Sequence, residues 1–205
     1  MPARRFGPAE TRRLILQKAY ELFEDLGHEK TTILDIAKAC GFSAANVHKH
    51  AGSRLDINEA VAARVFDERL AGARAAVMQR SSAASRLEAL IDFMGRRATK
   101  ASVRPTKRDA LLETAGRSGW SAVNDYRQGL YGLVRDIVRR GAEDGEFSVA
   151  SIDVSTRALL MALSPLTGAE GTLRVWGAPE DWDLDALTAF LLRGLGAGEE
   201  VRSVS

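Results

Sequence analysis

The chain has 205 residues, of which 45% are hydrophobic and 27% are charged, and this composition can supply a full core for one small and one larger domain. The sequence has no run of about 18 apolar residues and no secretory leader, so we expect neither a membrane span nor export, and we predict a cytoplasmic protein. Cys40 is the only cysteine, which excludes a disulfide within the chain.

Positive charge is concentrated at the amino-terminal end. Residues 1–55 contain nine Lys or Arg against six Asp or Glu, whereas residues 56–205 contain twenty against twenty-one. Arg12 and Arg13 lie in the early turns of the first predicted helix, where the helix dipole disfavours cations. Their placement favours an external anion near this end of the chain.

The first predicted helix covers residues 11–27. Apolar residues recur on one face of this segment, and Gly27 is predicted to end the helix. The apolar face consists of Leu14 or Ile15, Ala19, Leu22 or Phe23, and Leu26.

Residues 32–50 have the pattern of a helix-turn-helix. Ala37 lies where two short helices must cross closely, Gly41 suits the left-handed conformation of a turn, and Val47 packs the second helix back on the first. The pattern predicts a DNA-binding element, with a purely structural helical hairpin as the alternative.

Capping residues support both helix starts in this segment. Thr32 with Asp35 three residues later is typical of a capping box, and Ser43 can cap the second helix. Both predicted helices therefore have a defined beginning.

The rest of the chain is also predicted to be helical, without a segment of alternating β-branched residues. The predicted helices cover 54–80, 84–101, 106–118, 120–144, 151–167 and 183–195. Six cations lie from Arg96 to Arg108 without an acid among them, and this run is either a solvated face or a secondary phosphate contact.

The order of motifs over residues 10–60 closely resembles the amino-terminal domain of the TetR family of transcriptional regulators. The motifs are TR-x-x-IL-x-x-A-x-x-LF-x-x-x-G, then TT-x-x-x-IA, then G-[VF]-S and a short helix that ends near Ser53-Arg54. The resemblance implies an all-α fold of about nine helices. It implies a three-helix helix-turn-helix DNA-binding domain at residues 1–55 and a larger helical domain for effector binding and dimerisation at residues 56–205.

By this resemblance the second helix of the motif is the recognition helix. Asn46 and Lys49 lie three residues apart on one helix face, so Asn46 can bind a base edge while Lys49 binds a phosphate or a guanine. The predicted DNA-binding residues are Thr32, Ser43, Ala44, Ala45, Asn46, His48, Lys49, His50 and Arg54.

Three positions depart from the family pattern. His48 stands where the family usually has a phosphate-binding Tyr, Ala51 where it usually has a packing Phe, and Arg54 where Lys is common. A neutral His48 donates more weakly to a phosphate. Ala51 followed by Gly52 removes packing worth about 2 to 3 kcal/mol if no neighbour compensates, which would leave the recognition helix looser in the free protein.

The resemblance also implies a small-molecule effector, expected to be largely apolar. Aromatic and Met side chains are spread over the helices that would surround its pocket, and each of them is either pocket lining or ordinary core. The predicted pocket residues are Phe93, Met94, Trp120, Tyr126, Met161 and Trp176.

The last two predicted helices are more apolar than one buried face requires. In a TetR-like protein such helices form the homodimer interface as a four-helix bundle, and an internal core without a partner is the alternative. The predicted interface residues are Leu159, Leu163, Leu187 and Leu191.

We therefore expect a homodimeric, ligand-responsive repressor that binds a palindromic operator in double-stranded DNA. The alternative is a TetR-like interaction protein that acts mainly through a protein partner. Nucleotide-binding, hydrolase and zinc motifs do not occur in the sequence, so we expect no enzymatic activity, no cofactor and no metal.

Overall fold

The computed structural model describes residues 7–167 and 183–197, and within these ranges the chain forms nine α-helices and no strand. The helices are α1 (Pro8–Asp25), α2 (Ile33–Cys40), α3 (Ala44–Ala51), α4 (Arg54–Met78), α5 (Ala83–Val103), α6 (Lys107–Ser118), α7 (Ser121–Glu143), α8 (Ile152–Thr167) and α9 (Leu184–Gly194). The fold is all-α, as predicted. None of the helices in the described ranges is both long enough and apolar enough to cross a membrane.

The bounds of α4 to α9 agree closely with the predicted spans, whereas α1 begins and ends earlier than predicted. α1 begins at Pro8 because proline is favoured in the first helical turn, where its missing N–H costs nothing. The chain leaves the helix at Leu26, and Gly27 follows with φ +91°, in the left-handed region that favours glycine.

Three capping boxes define the starts of α2, α4 and α6. In each box the hydroxyl oxygen accepts the backbone N–H three residues later, while the carboxylate accepts the backbone N–H of the capping residue. The pairs are Thr32 with Asp35, Ser53 with Asp56, and Thr106 with Asp109. The hydrogen bonds from Thr32 and Ser53 lower the pKa of Asp35 and Asp56, so both boxes remain formed at neutral pH.

The buried residues form two core clusters. The first joins α1, α2 and α3 to the beginning of α4, to α6 and to the first half of α7, and the second joins the rest of α4 and α7 to α5, α8 and α9. In the first cluster Val47 of α3, Ile57 of α4 and Leu111 of α6 belong to one core. The apolar core is therefore continuous across residue 55, and α4 and α7 run through both clusters.

Candidate DNA interface and ligand cavity

α3 is placed as the second helix of a helix-turn-helix. Gly41 ends α2 with φ +69°, and the Ser43 hydroxyl oxygen caps α3 by accepting the Asn46 backbone N–H at 3.2 Å. Val47 and Ala51 are completely buried against the first core. The opposite face of the helix consequently points away from the protein.

The structure places the predicted DNA-binding residues at two levels of exposure. Five are exposed, namely Thr32, Ser43, Ala45, His48 and Lys49. Four are half-buried, namely Ala44, Asn46, His50 and Arg54. The exposed positions 45, 48 and 49 share one face of α3 by helical spacing, and this face is the candidate DNA interface.

Arg54 and Arg12 hold the helix-turn-helix together through backbone carbonyls. Arg54 Nη2 donates to the carbonyl oxygens of His28 at 2.6 Å and Glu29 at 2.8 Å, which ties the start of α4 to the loop between α1 and α2. Arg12 Nη1 donates to the carbonyl oxygen of His50 at 3.3 Å, at the end of α3 where the helix dipole favours a cation. This hydrogen bond is a second explanation for a cation at position 12, in addition to the external anion that the sequence predicts.

The hydrogen bond of His48 restricts how it can bind a phosphate. Its Nδ1 lies 3.0 Å from the carbonyl oxygen of Gly52, and because a carbonyl only accepts, Nδ1 carries the hydrogen. The Nε2 atom of a neutral His48 is then without a hydrogen and can only accept. His48 can donate from Nε2 to a phosphate only as an imidazolium.

The joint between α3 and α4 is closely packed. Ala51 is completely buried and belongs to the first core cluster. Gly52 has φ +84° and ψ −151°, and a Cβ atom built there would lie 2.5 Å from Oδ2 of Asp56. The joint therefore needs glycine, both for its backbone conformation and for the adjoining capping box.

Five of the six predicted effector-pocket residues are described by the structure, and they lie in both core clusters and on the surface of α8. Trp120 and Tyr126 are buried in the first core cluster, and Met94 is buried in the second. Phe93 is half-buried and lines a hollow beside α5. Trp176 lies outside the described residues.

The predicted interface leucines of α8 and α9 pack in or against the second core cluster. Leu159 is 3% exposed, Leu163 0% and Leu191 7%, and all three pack in the second core cluster. Leu187 is half-buried and packs against the same cluster. Within one chain three of these leucines therefore serve as core residues, whereas Leu187 keeps part of its surface exposed.

A different face of α8 carries exposed apolar residues. Met161, predicted to line the effector pocket, is 76% exposed, and Val154 is 63% exposed. Ala158 and Ala162 are exposed at helical spacing from them, so these four residues form one stripe. On α9, Phe190 is 67% exposed. The sequence could not assign this stripe, because α8 is apolar on more than one face and periodicity alone does not show which face is inward.

A cavity of about 500 Å³ opens between α1, α4, α5 and α6. Its wall contains the cations Arg69, Arg97, Lys100, Lys107 and Arg108. It also contains the acids Glu24, Glu68 and Asp109. Four of the five cations belong to the run from Arg96 to Arg108. The structure therefore places most cations of this run around one concave site.

Arg69 is the buried cation of this cavity. It is 7% exposed, and its Nη2 donates to Oδ1 of Asp109 at 2.6 Å, while its Nε is buried with no hydrogen-bond partner among the described residues. Burial lowers the pKa of Arg69, and the positive charge of Arg97 lowers it further. The sequence signal for this residue is a cation on the apolar face of α4, between Phe66 and Leu70, and Arg69 is not among the predicted site residues.

The sequence matches two family profiles. "Bacterial regulatory proteins, tetR family" matches residues 15–61, and "Tetracyclin repressor-like, C-terminal domain" matches residues 83–180. No curated protein matches the sequence.

Solved structures with a similar fold cover nearly the whole chain. A transcriptional regulator from Pseudomonas aeruginosa PAO1 has 16% identity and a TM-score of 0.64, covering 95% of this chain and 94% of its own. The transcriptional regulator FadR from Bacillus subtilis in complex with stearoyl-CoA has 15% identity and a TM-score of 0.59, covering 92% of this chain and 99% of its own. RolR in complex with resorcinol has 15% identity and a TM-score of 0.64, covering 93% and 90%.

These identities are low, so the similar structures show the fold alone. The two profiles together account for the helix-turn-helix end and for much of the larger helical part. The chain belongs to the TetR family of transcriptional regulators.

Proposed function

We propose that this protein is a ligand-responsive repressor that binds a two-fold symmetric DNA operator as a homodimer. The exposed face of α3, formed by Ala45, His48 and Lys49 beside the half-buried Asn46, is the observation that carries the proposal. Capping at Ser43 and the buried Val47 hold this face outward, in the position of a recognition helix. Such a regulator acts on the chromosome, in the cytoplasm.

The exposed stripe on α8 supports the homodimer. Val154, Ala158, Met161 and Ala162 expose apolar surface that gains free energy when covered, at about 25 cal/mol per Å². A second copy packed on this stripe by a two-fold axis would present two recognition helices. Their spacing would have to be about 34 Å, one turn of DNA, to bind neighbouring half-sites.

The cavity supports a ligand response. Its volume of about 500 Å³ suits a small molecule, and it opens beside α1 of the proposed DNA-binding domain at residues 1–55 and beside helices of the proposed effector domain at residues 56–205. The FadR and RolR structures were obtained with stearoyl-CoA and resorcinol, so this fold accommodates small molecules. Release of DNA by about tenfold to hundredfold requires a coupling free energy of roughly 1.4 to 2.7 kcal/mol.

Selection of genomic fragments by the purified protein, followed by footprinting, tests the proposed function. We expect protection of a palindromic site with half-sites about one helical turn apart. Asn46→Ala should weaken binding to that site by about 1 to 3 kcal/mol, as expected for a base contact. Lys49→Ala should weaken binding to all sequences by a smaller amount.

Arg74→Ala is the matched control, because it also removes one exposed cation but lies some twenty residues further along α4, about 30 Å from the start of that helix. It should leave operator affinity unchanged. Full affinity in an Asn46→Ala, Lys49→Ala double variant would refute the assignment of α3. Many dispersed sites or none, together with a captured protein partner, would favour an interaction protein instead.

A further inference from the structure

We propose that the effector is an anionic small molecule, whose carboxylate or phosphate group binds Arg69, Arg97 and Lys100 in the cavity between α1, α4, α5 and α6. The proposal depends on the proposed function only where it concerns release of DNA. The binding of the anion is argued from the cavity itself.

Arg69 has unused hydrogen-bonding capacity. A guanidinium has five N–H donors, and a buried donor without an acceptor is destabilising. Asp109 accepts from Nη2 only, and Nε has no partner among the described residues. Arg69 lines the cavity, so an anion with two or more oxygens there would give acceptors to N–H donors of its guanidinium that Asp109 does not use.

The wall of the cavity has more cations than acids. Arg108 forms salt bridges to Glu24 and Glu68, so the wall's other two acids are already engaged by one cation. Arg97 and Lys100, three residues apart on α5, have no salt bridge to the described part of the chain and are exposed to the cavity. Their charges and that of Arg69 repel one another, and an anion between them converts this repulsion into attraction.

The neighbouring Arg96 shows that this charge pattern is local. It forms a salt bridge to Asp92 at 2.7 Å and does not line this cavity, although it shares a neighbouring hollow with Arg97 and Lys100. Arg96 is therefore neutralised by Asp92, whereas Arg97, the next residue on α5, faces the cavity and has no salt bridge to the described part of the chain.

The shape of the site limits which ligands can reach Arg69. Arg69 lies inside the fold at 7% exposure, in a concave site of about 500 Å³, so an extended DNA backbone cannot reach it while a small molecule can. Val65 and Ala101 are the apolar residues of the wall. This lining favours a ligand dominated by its anionic group and departs from the largely apolar effector that the sequence predicted.

The cavity is also linked to the DNA-binding end. Lys107 donates to the carbonyl oxygen of Asp25, and Arg108 binds Glu24, so the start of α6 is fastened to the end of α1. Asp109, the partner of Arg69, also caps α6 through Thr106. An anion on Arg69 would share this cation with Asp109, so its binding can alter the start of α6, which carries the contacts to α1.

Calorimetric titration of the full chain without DNA, at fixed ionic strength, tests the binding step. The probes are benzoate with its neutral counterpart benzamide, and phenyl phosphate with phenol. We expect at least one anion to bind about tenfold or more tightly than its neutral counterpart, because hydrogen bonds to charged groups are stronger than those between neutral groups. The two pairs distinguish a carboxylate from a phosphate ligand.

Arg97→Gln and Lys100→Gln should each weaken binding of that anion about tenfold, while Arg96→Gln, the matched control on the same helix, should leave it unchanged. Arg69 itself is not the primary test, because its removal would leave Asp109 beside no buried cation and endanger the fold. Equal binding of charged and neutral probes, absence of saturable binding at millimolar concentration, or an equal loss in Arg96→Gln would overturn the proposal.

Two DNA measurements separate this inference from the proposed function. If Arg97→Gln lowers operator affinity in the absence of any anion, these cations contact DNA and the effector site is refuted. If the anion binds as expected but does not alter operator affinity, the site stands and the ligand-responsive part of the proposed function fails.

Discussion

At the scale of single residues, the loop between α1 and α2 depends on buried polar groups. His28 is 5% exposed, its ring meets the edge of Phe23 at 6.3 Å between centroids, and its carbonyl oxygen accepts from Arg54. Thr31 is 1% exposed and donates its hydroxyl to the carbonyl oxygen of Gly27 at 2.8 Å. These contacts fix the loop that orients α2 and the start of α4.

The burial of His28 predicts acid-sensitive stability. Burial lowers its pKa below the ordinary value of 6.5, so the folded state holds His28 neutral while the unfolded state binds a proton as the pH falls below about 6.5. The free energy of unfolding should therefore fall as the pH drops through about 6.5 and continue to fall towards the lowered pKa. Urea unfolding between about pH 7.5 and 5 should show this decline, and His28→Gln should have a shallower one.

Thr31→Val provides the control for that measurement. It removes a buried hydrogen bond of the same loop, at a cost of about 1 kcal/mol, but no titratable group. Its unfolding free energy should be lower than that of the wild type at every pH and should keep the wild-type slope. An identical slope in His28→Gln would exclude His28 as the source of the acid sensitivity.

At the scale of elements, local signals predicted the helices and their caps. Thr32 and Ser43 cap α2 and α3 as expected, because a cap is a hydrogen bond between residues three apart in the sequence. The links from Arg54 to His28 and from Arg12 to His50 end on backbone carbonyls far away in the chain, and a carbonyl has no sequence signature. The carboxylate of Asp109, which accepts from Arg69, lies forty residues later in the chain, so no local pattern predicts this pair either.

Among the helix ends, the joint between α3 and α4 should be the least tolerant of substitution. Gly52→Ala would place a side chain at φ +84° and ψ −151°, a conformation that is essentially restricted to glycine, and its Cβ would meet Asp56 at 2.5 Å. Strain of about 1 to 3 kcal/mol and loss of a capping box worth about 0.5 to 2 kcal/mol should add. Urea unfolding measures the total.

Gly41→Ala is the comparison that isolates the collision. Gly41 also has positive φ, +69°, but a Cβ there meets nothing within 4 Å. It should cost only the strain of a left-handed residue, about 1 to 2 kcal/mol. Equal losses of stability in the two variants would show that Asp56 yields without cost and that the second capping box does not fix the joint.

At the scale of the whole molecule, the two core clusters share α4 and α7, and the cavity lies where α1 meets α4, α5 and α6. Movement of α6 against α1 can thus alter the position of α3, because α1 and α3 belong to the same core. In a homodimer this movement would change the distance between two recognition helices. Oligomeric state is therefore the property on which the proposed regulation depends.

Met161→Glu tests the homodimer without endangering the fold, because Met161 is 76% exposed in the single chain. A two-fold interface on α8 would bury two unpaired carboxylates, at a cost of several kcal/mol each, so sedimentation should show a monomer with unchanged thermal stability. Operator affinity should fall as the dimer is lost.

The control is Met78→Glu, which has 81% exposure at the end of α4 and should remain dimeric. A wild type that sediments as a monomer at micromolar concentration, or a Met161→Glu variant that remains dimeric, would remove α8 as the interface. Leu159→Glu cannot decide the question, since a charge at a position 3% exposed destabilises the monomer itself.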